Sequence, residues 1–327
     1  MTAPSSPPPG LGSRHGWELL QHMTALESLK LCRCDGLTKL PESIRSLTSL
    51  QSLCIDNNAA LCLHQYAHTA GIAGCPTWIQ QTTSVNTVLQ LPEWLGELCS
   101  LRTLQVQSVP GLNSLPQSLQ RLTSFQELAI SGCDALHELP DWLGKLRWLR
   151  TLRLIGLSSL SSIPQLLQHL TSLQELEIIM CHAIHQLPEC LGKLCSLQTL
   201  HIGGLSINTF PQSLQHLTSL QELEIRACDA LHQLPECLGE LRSLRTFRIE
   251  RLPGLAFLPQ SMGRVTSLEQ LRIVKCLGLT SLPDWIKGLT ALQTLEISRC
   301  PALKARCEKG KGEDWHLVSH IPYLNIW

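Results

Sequence analysis

Leu173-Gln-Glu-Leu176-Glu-Ile178-Ile-Met-Cys181, running on through Ile184, Leu187-Pro188 and Leu191 to Leu194, is the stretch that decides how this chain folds. Leu173 enters from a loop, and Leu176 and Ile178 then alternate with polar residues. That is the period of a short β-strand with one face buried. Leu187-Pro188 ends the extended segment, because proline has no amide to give a strand ladder. Glu189 to Lys193 then forms a short helical or 3₁₀ turn back along the other side. A unit this small cannot bury its own leucines.

Copies of the frame supply the burial. It begins again at Leu26, Leu50, Leu101, Phe125, Leu149, Leu197, Leu220, Leu244, Leu268 and Leu292, stepping by 24 residues from Leu101 onward apart from one step of 23 between Leu197 and Leu220. A proline series from Pro92 to Pro283 keeps the same step. Such a period marks a leucine-rich repeat, and stacked copies predict an α/β solenoid, or horseshoe. A parallel β-sheet should line its concave face, and short helical or 3₁₀ turns its convex face. A damaged copy reads from Cys75-Pro-Thr-Trp78 to Val88, aligned with Leu91-Pro-Glu-Trp94 to Leu104. The expected organisation is a disordered leader over 1–16, about twelve repeats over 17–303 with an irregular insertion at 62–90, and a capping tail over 304–327.

Composition excludes several function classes. Basic and acidic residues balance at 26 each, so no bulk charge is available to hold nucleic acid or an anionic membrane. Nothing reads as a membrane-spanning apolar run, so no membrane insertion is expected. The 15 cysteines are odd in number, the Pro- and Ser-rich start has no apolar signal core, and no Asn-x-Ser/Thr sequon occurs. These features favour reduced thiols in the cytosol or nucleus.

The repeats Leu-Thr-Ser-Leu-Gln-Glu-Leu-Glu-Ile with Leu-Pro-Glu-x-Leu-Gly-x-Leu resemble those of plant nucleotide-binding, leucine-rich-repeat disease-resistance proteins, especially the coiled-coil group of grasses. The ending is similar too: Cys300-Pro-Ala-Leu303-Lys-Ala-Arg306-Cys307, then Gly312-Glu-Asp314-Trp315, then His320-Ile321-Pro322 to Ile326. The resemblance covers 17–327 and implies recognition in plant innate immunity, with a pathogen effector or a receptor's nucleotide-binding domain as partner. No Gly-x-x-x-x-Gly-Lys-Ser/Thr phosphate loop is present, so that nucleotide switch is not expected in this chain. A general cytoplasmic scaffold unconnected with defence is the alternative.

Candidate sites follow the frame. Cys34, Cys133, Cys181, Cys228, Cys276 and Cys300 share one position with Asn58, and Val109, Leu157, Leu205 and Leu252 fill it in alternate repeats. This reads as a structural ladder with a doubled period rather than a metal site. Cys62, His64, His68 and Cys75 could bring four ligands to zinc, but their spacing fits no familiar finger, and solvated loop residues are the preferred reading. Trp94, Trp142 and Trp285 share a convex position and are expected to be half buried. No catalytic order of Ser, His and Asp, or of Cys and His, stands out, so no enzyme, metal or cofactor is expected.

Specificity should lie in the outward strand positions, because residues one step apart become sheet neighbours. The residues expected to bind a protein partner are Glu175, Glu177, Glu222, Glu224, Arg226, Arg248, Glu250 and Arg272, with opposite charges in the central column pairing across strands.

Overall fold

The computed structural model describes residues 17–32, 39–57 and 90–327. The chain divides into two compact units, Met1–Ser159 and Leu160–Trp327. Each is built from the same leucine-rich repeat: a five-residue strand, a sharp exit, and a 3₁₀ turn behind it. Strands β1 (Ser28–Cys32), β2 (Ser52–Asp56), β3 (Thr103–Gln107), β4 (Glu127–Ser131) and β5 (Thr151–Ile155) belong to the first unit. The second holds β6 (Glu175–Ile179), β7 (Thr199–Gly203), β8 (Glu222–Arg226), β9 (Thr246–Glu250), β10 (Gln270–Val274), β11 (Thr294–Ser298) and β12 (Tyr323–Ile326).

Within each unit, neighbouring strands pair in parallel with no offset, so Leu223 meets Phe247 and Phe247 meets Leu271. The second and fourth residues of each strand face inward, and Leu176, Ile178, Ile225, Phe247 and Ile249 are wholly buried. Behind the strands, Pro188, Pro211 and Pro235 accept the amides of Leu191, Leu214 and Leu238, closing 3₁₀ turns of one repeating geometry. Each turn begins with a proline whose missing amide would have had no partner there.

β2 pairs directly with β3, from Ser52↔Thr103 to Asp56↔Gln107. The turn-side contacts agree: Lys39 bridges Gln90, Arg45 Nε lies 2.5 Å from Glu97 Oε2, and Ser100 Oγ donates to the Thr48 carbonyl at 2.7 Å. The damaged copy at 75–88, the leader 1–16, residues 62–89 of the 62–90 insertion, Cys34, Asn58, and Cys62, His64, His68 and Cys75 lie outside the described residues.

The last strand comes from the tail. β12 pairs in parallel with β11, and helices α1 (Pro301–Arg306) and α2 (Trp315–Val318) connect them. Asp314, almost wholly buried, ties the connection together. It accepts Arg306 Nε at 2.9 Å and Nη2 at 2.7 Å, and the Leu282 amide at 3.0 Å.

The residue after each of β3 to β11 adopts a left-handed φ: 52–63° at Ser108, Gly132 and Gly156 in the first unit, and 49–60° at Met180, Gly204, Ala227, Arg251, Lys275 and Arg299 in the second. This exit turn lets the next residue point back into the core. Cys133, Cys181, Cys228 and Cys276 occupy that position, fully buried, each Sγ within 3.5 Å of the carbonyl two residues earlier. Burial raises the thiol pKa to about 11 at Cys133 and Cys276. Every cysteine among the described residues is a free thiol.

The doubled period has a contact behind it. Glu189 accepts the amides of Gln212 and Ser213 at 3.3 and 2.9 Å, and Glu236 accepts those of Gln260 and Ser261 at 3.1 and 2.7 Å. In the first unit Glu93 does the same for Gln117 and Ser118. A Cβ on Gly96, Gly192 or Gly239 would lie within 2.6 Å of the facing serine's own atoms, so only glycine permits that approach. A Glu-x-Leu-Gly turn thus seats against a following Gln-Ser turn. Those pairs pack more closely than the turns on either side of them.

Candidate protein-binding face

The first, third and fifth side chains of each strand point away from the core. On β6 to β11 they include all eight residues singled out from the sequence. Register places Glu175 beside Thr199 and Glu177 beside His201, then Glu222 beside Thr246, Glu224 beside Arg248, and Arg226 beside Glu250. Arg248 and Arg272 are direct neighbours, as are Glu250 and Val274. The columns inferred from the step length are therefore real columns in the sheet.

Opposite charges do pair across strands, but not always with the residue directly opposite. Arg248 Nη1 reaches diagonally to Glu222 Oε1 at 2.5 Å and stands 3.9 Å from Glu224, its opposite number. Arg226 turns to Glu224 on its own strand at 3.6 Å, while Glu250 meets Arg251 at 3.5 Å. Arg272 pairs straight across with Glu296 at 3.2 Å. Arginine is long enough to span the diagonal between strands, and leaning along the strand relieves Arg248 of facing Arg272. In the first unit Arg153 makes the same diagonal reach, to Glu127 at 2.9 Å. These groups are partly solvated, so each pair contributes at most about 1 kcal/mol.

Two residues outside the predicted set shape this face. His201 Nε2 sits 3.4 Å from Glu222. Gly203, at the end of β7, leaves a notch that the Arg226 side chain fills, since a Cβ there would come within 2.5 Å of Arg226 Cγ. A glycine in a strand column was visible in the sequence, but which side chain uses the gap was not. A shallow depression on the same face is lined by Glu224, Arg248, Ile249, Glu250, Arg272 and Val274. The ligand atoms of His201, Glu222 and Glu224 lie within 4.8 Å of one another, the one grouping among the described residues able to hold a metal ion. Arg248 already lies on both carboxylates, and its charge opposes a cation there.

On the back of the repeats, Trp94 and Trp142 are buried rather than half buried, and Trp285 is intermediate. No helix among the described residues is long and apolar enough to cross a membrane.

Comparison with known proteins agrees with this architecture. Residues 81–202 match the family described as leucine-rich repeat region, and residues 185–301 match plant disease resistance protein RPS2-like, leucine-rich repeats. The second match spans the charged residues of β8 to β10. No curated protein matches the chain in sequence. Among solved structures, the leucine-rich repeat domain of the type III effector XopL is similar at 24% identity and a TM-score of 0.56, over 88% of this chain and 81% of that one. The Arabidopsis receptor kinase HAESA, solved with the peptide hormone IDA and the co-receptor SERK1, is similar at 21% identity and a TM-score of 0.50. That similarity covers 84% of this chain but only 46% of the receptor. The chain is thus a leucine-rich-repeat solenoid with a region resembling those of plant disease-resistance proteins.

Proposed function

We propose that this chain is a non-enzymatic recognition module of plant innate immunity, acting in the cytoplasm or nucleus. It binds a protein partner, either a pathogen effector or the nucleotide-binding domain of an immune receptor, through the strand face of β6 to β10. The observation that carries the reading is the coincidence of two things on one stretch. Residues 185–301 match the disease-resistance repeats, and within them Glu222, Glu224, Arg226, Arg248, Glu250 and Arg272 make a partly exposed, mixed-charge surface on rigid strands. Glu175 and Glu177 extend it on the acidic side. Charges fixed in this way give orientation and discrimination more than raw affinity. That HAESA is in complex with a peptide hormone and a co-receptor supports a partner-binding reading of this fold.

Exchanging the two ends of the closest pair, Glu222→Arg with Arg248→Glu, keeps a pair while inverting the local field. Co-precipitation from infected leaf tissue, quantified beside a thermal melt, reads both consequences. The melting temperature should stay near wild type, and recovery of the partner should fall about fivefold or more, the equivalent of 1 kcal/mol. Undiminished recovery by the folded double variant would remove this face from the recognition role.

A further inference from the structure

Past the ends of β9, β10 and β11, the left-handed exit residue is Arg251, Lys275 and Arg299, whereas earlier in the same unit it is Met180, Gly204 and Ala227. The three cations are stacked. The Arg251 amide bonds to the Val274 carbonyl at 2.8 Å, that of Lys275 to Ser298 at 2.9 Å, and that of Arg299 to Trp327 at 3.1 Å. Each therefore sits one strand, about 4.8 Å, from the next. Two residues farther on, a second column changes at the same point. His182, Ser206 and Asp229 give way to Pro253, Leu277 and Pro301, all three exposed. A basic row and an apolar row thus run side by side across the exits of three consecutive strands.

Folding does not explain the basic row. A φ of 52–55° favours glycine over a side-chain-bearing residue, and neighbouring like charges repel. Arg251 is partly neutralised by Glu250 at 3.5 Å, but among the described residues Lys275 and Arg299 form no ion pair. Nearby Arg272 is committed to Glu296.

We propose that this edge docks an extended acidic polypeptide segment, with carboxylates on Arg251, Lys275 and Arg299 and an apolar side chain against Leu277. Charge complementarity selects a polypeptide. Three cations spread over about 10 Å touch too few phosphates for counterion release to hold a nucleic acid at physiological salt. A bilayer-binding polybasic segment uses about four to eight. With 26 basic and 26 acidic residues, the rest of the chain adds no field to make up the difference. The edge lies beyond the strand ends, apart from the face proposed above, and can act whether or not that face does.

Fluorescence polarisation of the full-length chain with a labelled peptide of Glu-Glu-Leu repeats tests the assignment. Saturable binding that weakens with salt is expected. Lys275→Gly with Arg299→Gly removes two cations and relaxes both backbones, so the fold should hold or gain, and the Kd should rise about fivefold or more. Leu277→Ser should weaken binding about threefold. Glu222→Arg with Arg248→Glu should bind the peptide as wild type does, and a weakened Kd there would overturn the separation of edge from face. The proposal fails if wild type shows no saturable binding or if the folded double-glycine variant binds unchanged. It also fails if single-stranded RNA of equal length or phosphatidylserine vesicles bind more tightly than the peptide.

Discussion

Asp314 is the residue on which the closing tail depends most. Its carboxylate is 5% exposed and receives two bonds from Arg306 and one from the buried Leu282 amide. Desolvation pushes its pKa up, but the Arg306 guanidinium and the Leu282 amide outweigh that and hold it below the usual carboxylate range. Asp314→Asn keeps an acceptor for Leu282 and loses the charge. A charge-assisted bond contributes about 1.5–3 kcal/mol, and because Arg306 is 36% exposed, screening reduces the loss to about 1–2 kcal/mol. Asp314→Ala also orphans the Leu282 amide, adding about 1–3 kcal/mol and bringing the total to about 2–5 kcal/mol. The loss falls on the tail, so amide hydrogen exchange at Tyr323 and Trp327, which donate to Gln293 and Ile297 of the neighbouring repeat, is the direct assay. Exchange should quicken about tenfold in the Asn variant and at least thirtyfold in the Ala variant. Since the folded pKa is depressed, the stabilisation is complete above the unfolded value and fades as pH falls through the folded one. The gap between wild type and the Asn variant should therefore close in acid. If the Ala variant exchanges within about threefold of wild type, Asp314 does not hold β12 in place.

Two further outcomes test the packing. A maleimide at pH 8 should label exposed Cys99 and Cys195 rapidly and spare Cys133 and Cys276, whose pKa burial raises to about 11. Equal rates in the folded protein would show that the ladder opens. Gly239→Ala drives a Cβ to 2.4 Å from Ser261 and should cost about 1–3 kcal/mol in a thermal melt, whereas Gly288→Ala, with nothing within 4 Å, should be neutral.

The strand columns were legible because one step of the repeat is one strand of the sheet. Glu222, Thr246 and Gln270 could be placed side by side from spacing alone. The diagonal from Arg248 to Glu222 could not, since it depends on how far an arginine leans and on what it avoids. Spacing likewise could not tell that β2 pairs directly with β3, more than one step away in the sequence. A strand's pattern records which face is buried, not which neighbour it joins. The tail carries no copy of the frame, so β12 was foreseen as a cover but not as a strand. The exit cations were plain in the sequence, but their alignment only acquires meaning once their left-handed turns are seen to stack.

The Glu–Gly turn seated against a Gln–Ser turn has a consequence for how such a chain can change length. Removing one repeat after β7 would bring two turns of the same kind together, either crowding two glycine turns or leaving the Gln260 and Ser261 amides without Glu236. Removing two restores every junction. Unequal recombination within this array should therefore leave viable descendants in even increments, and odd-numbered losses should be purged before selection for any partner begins.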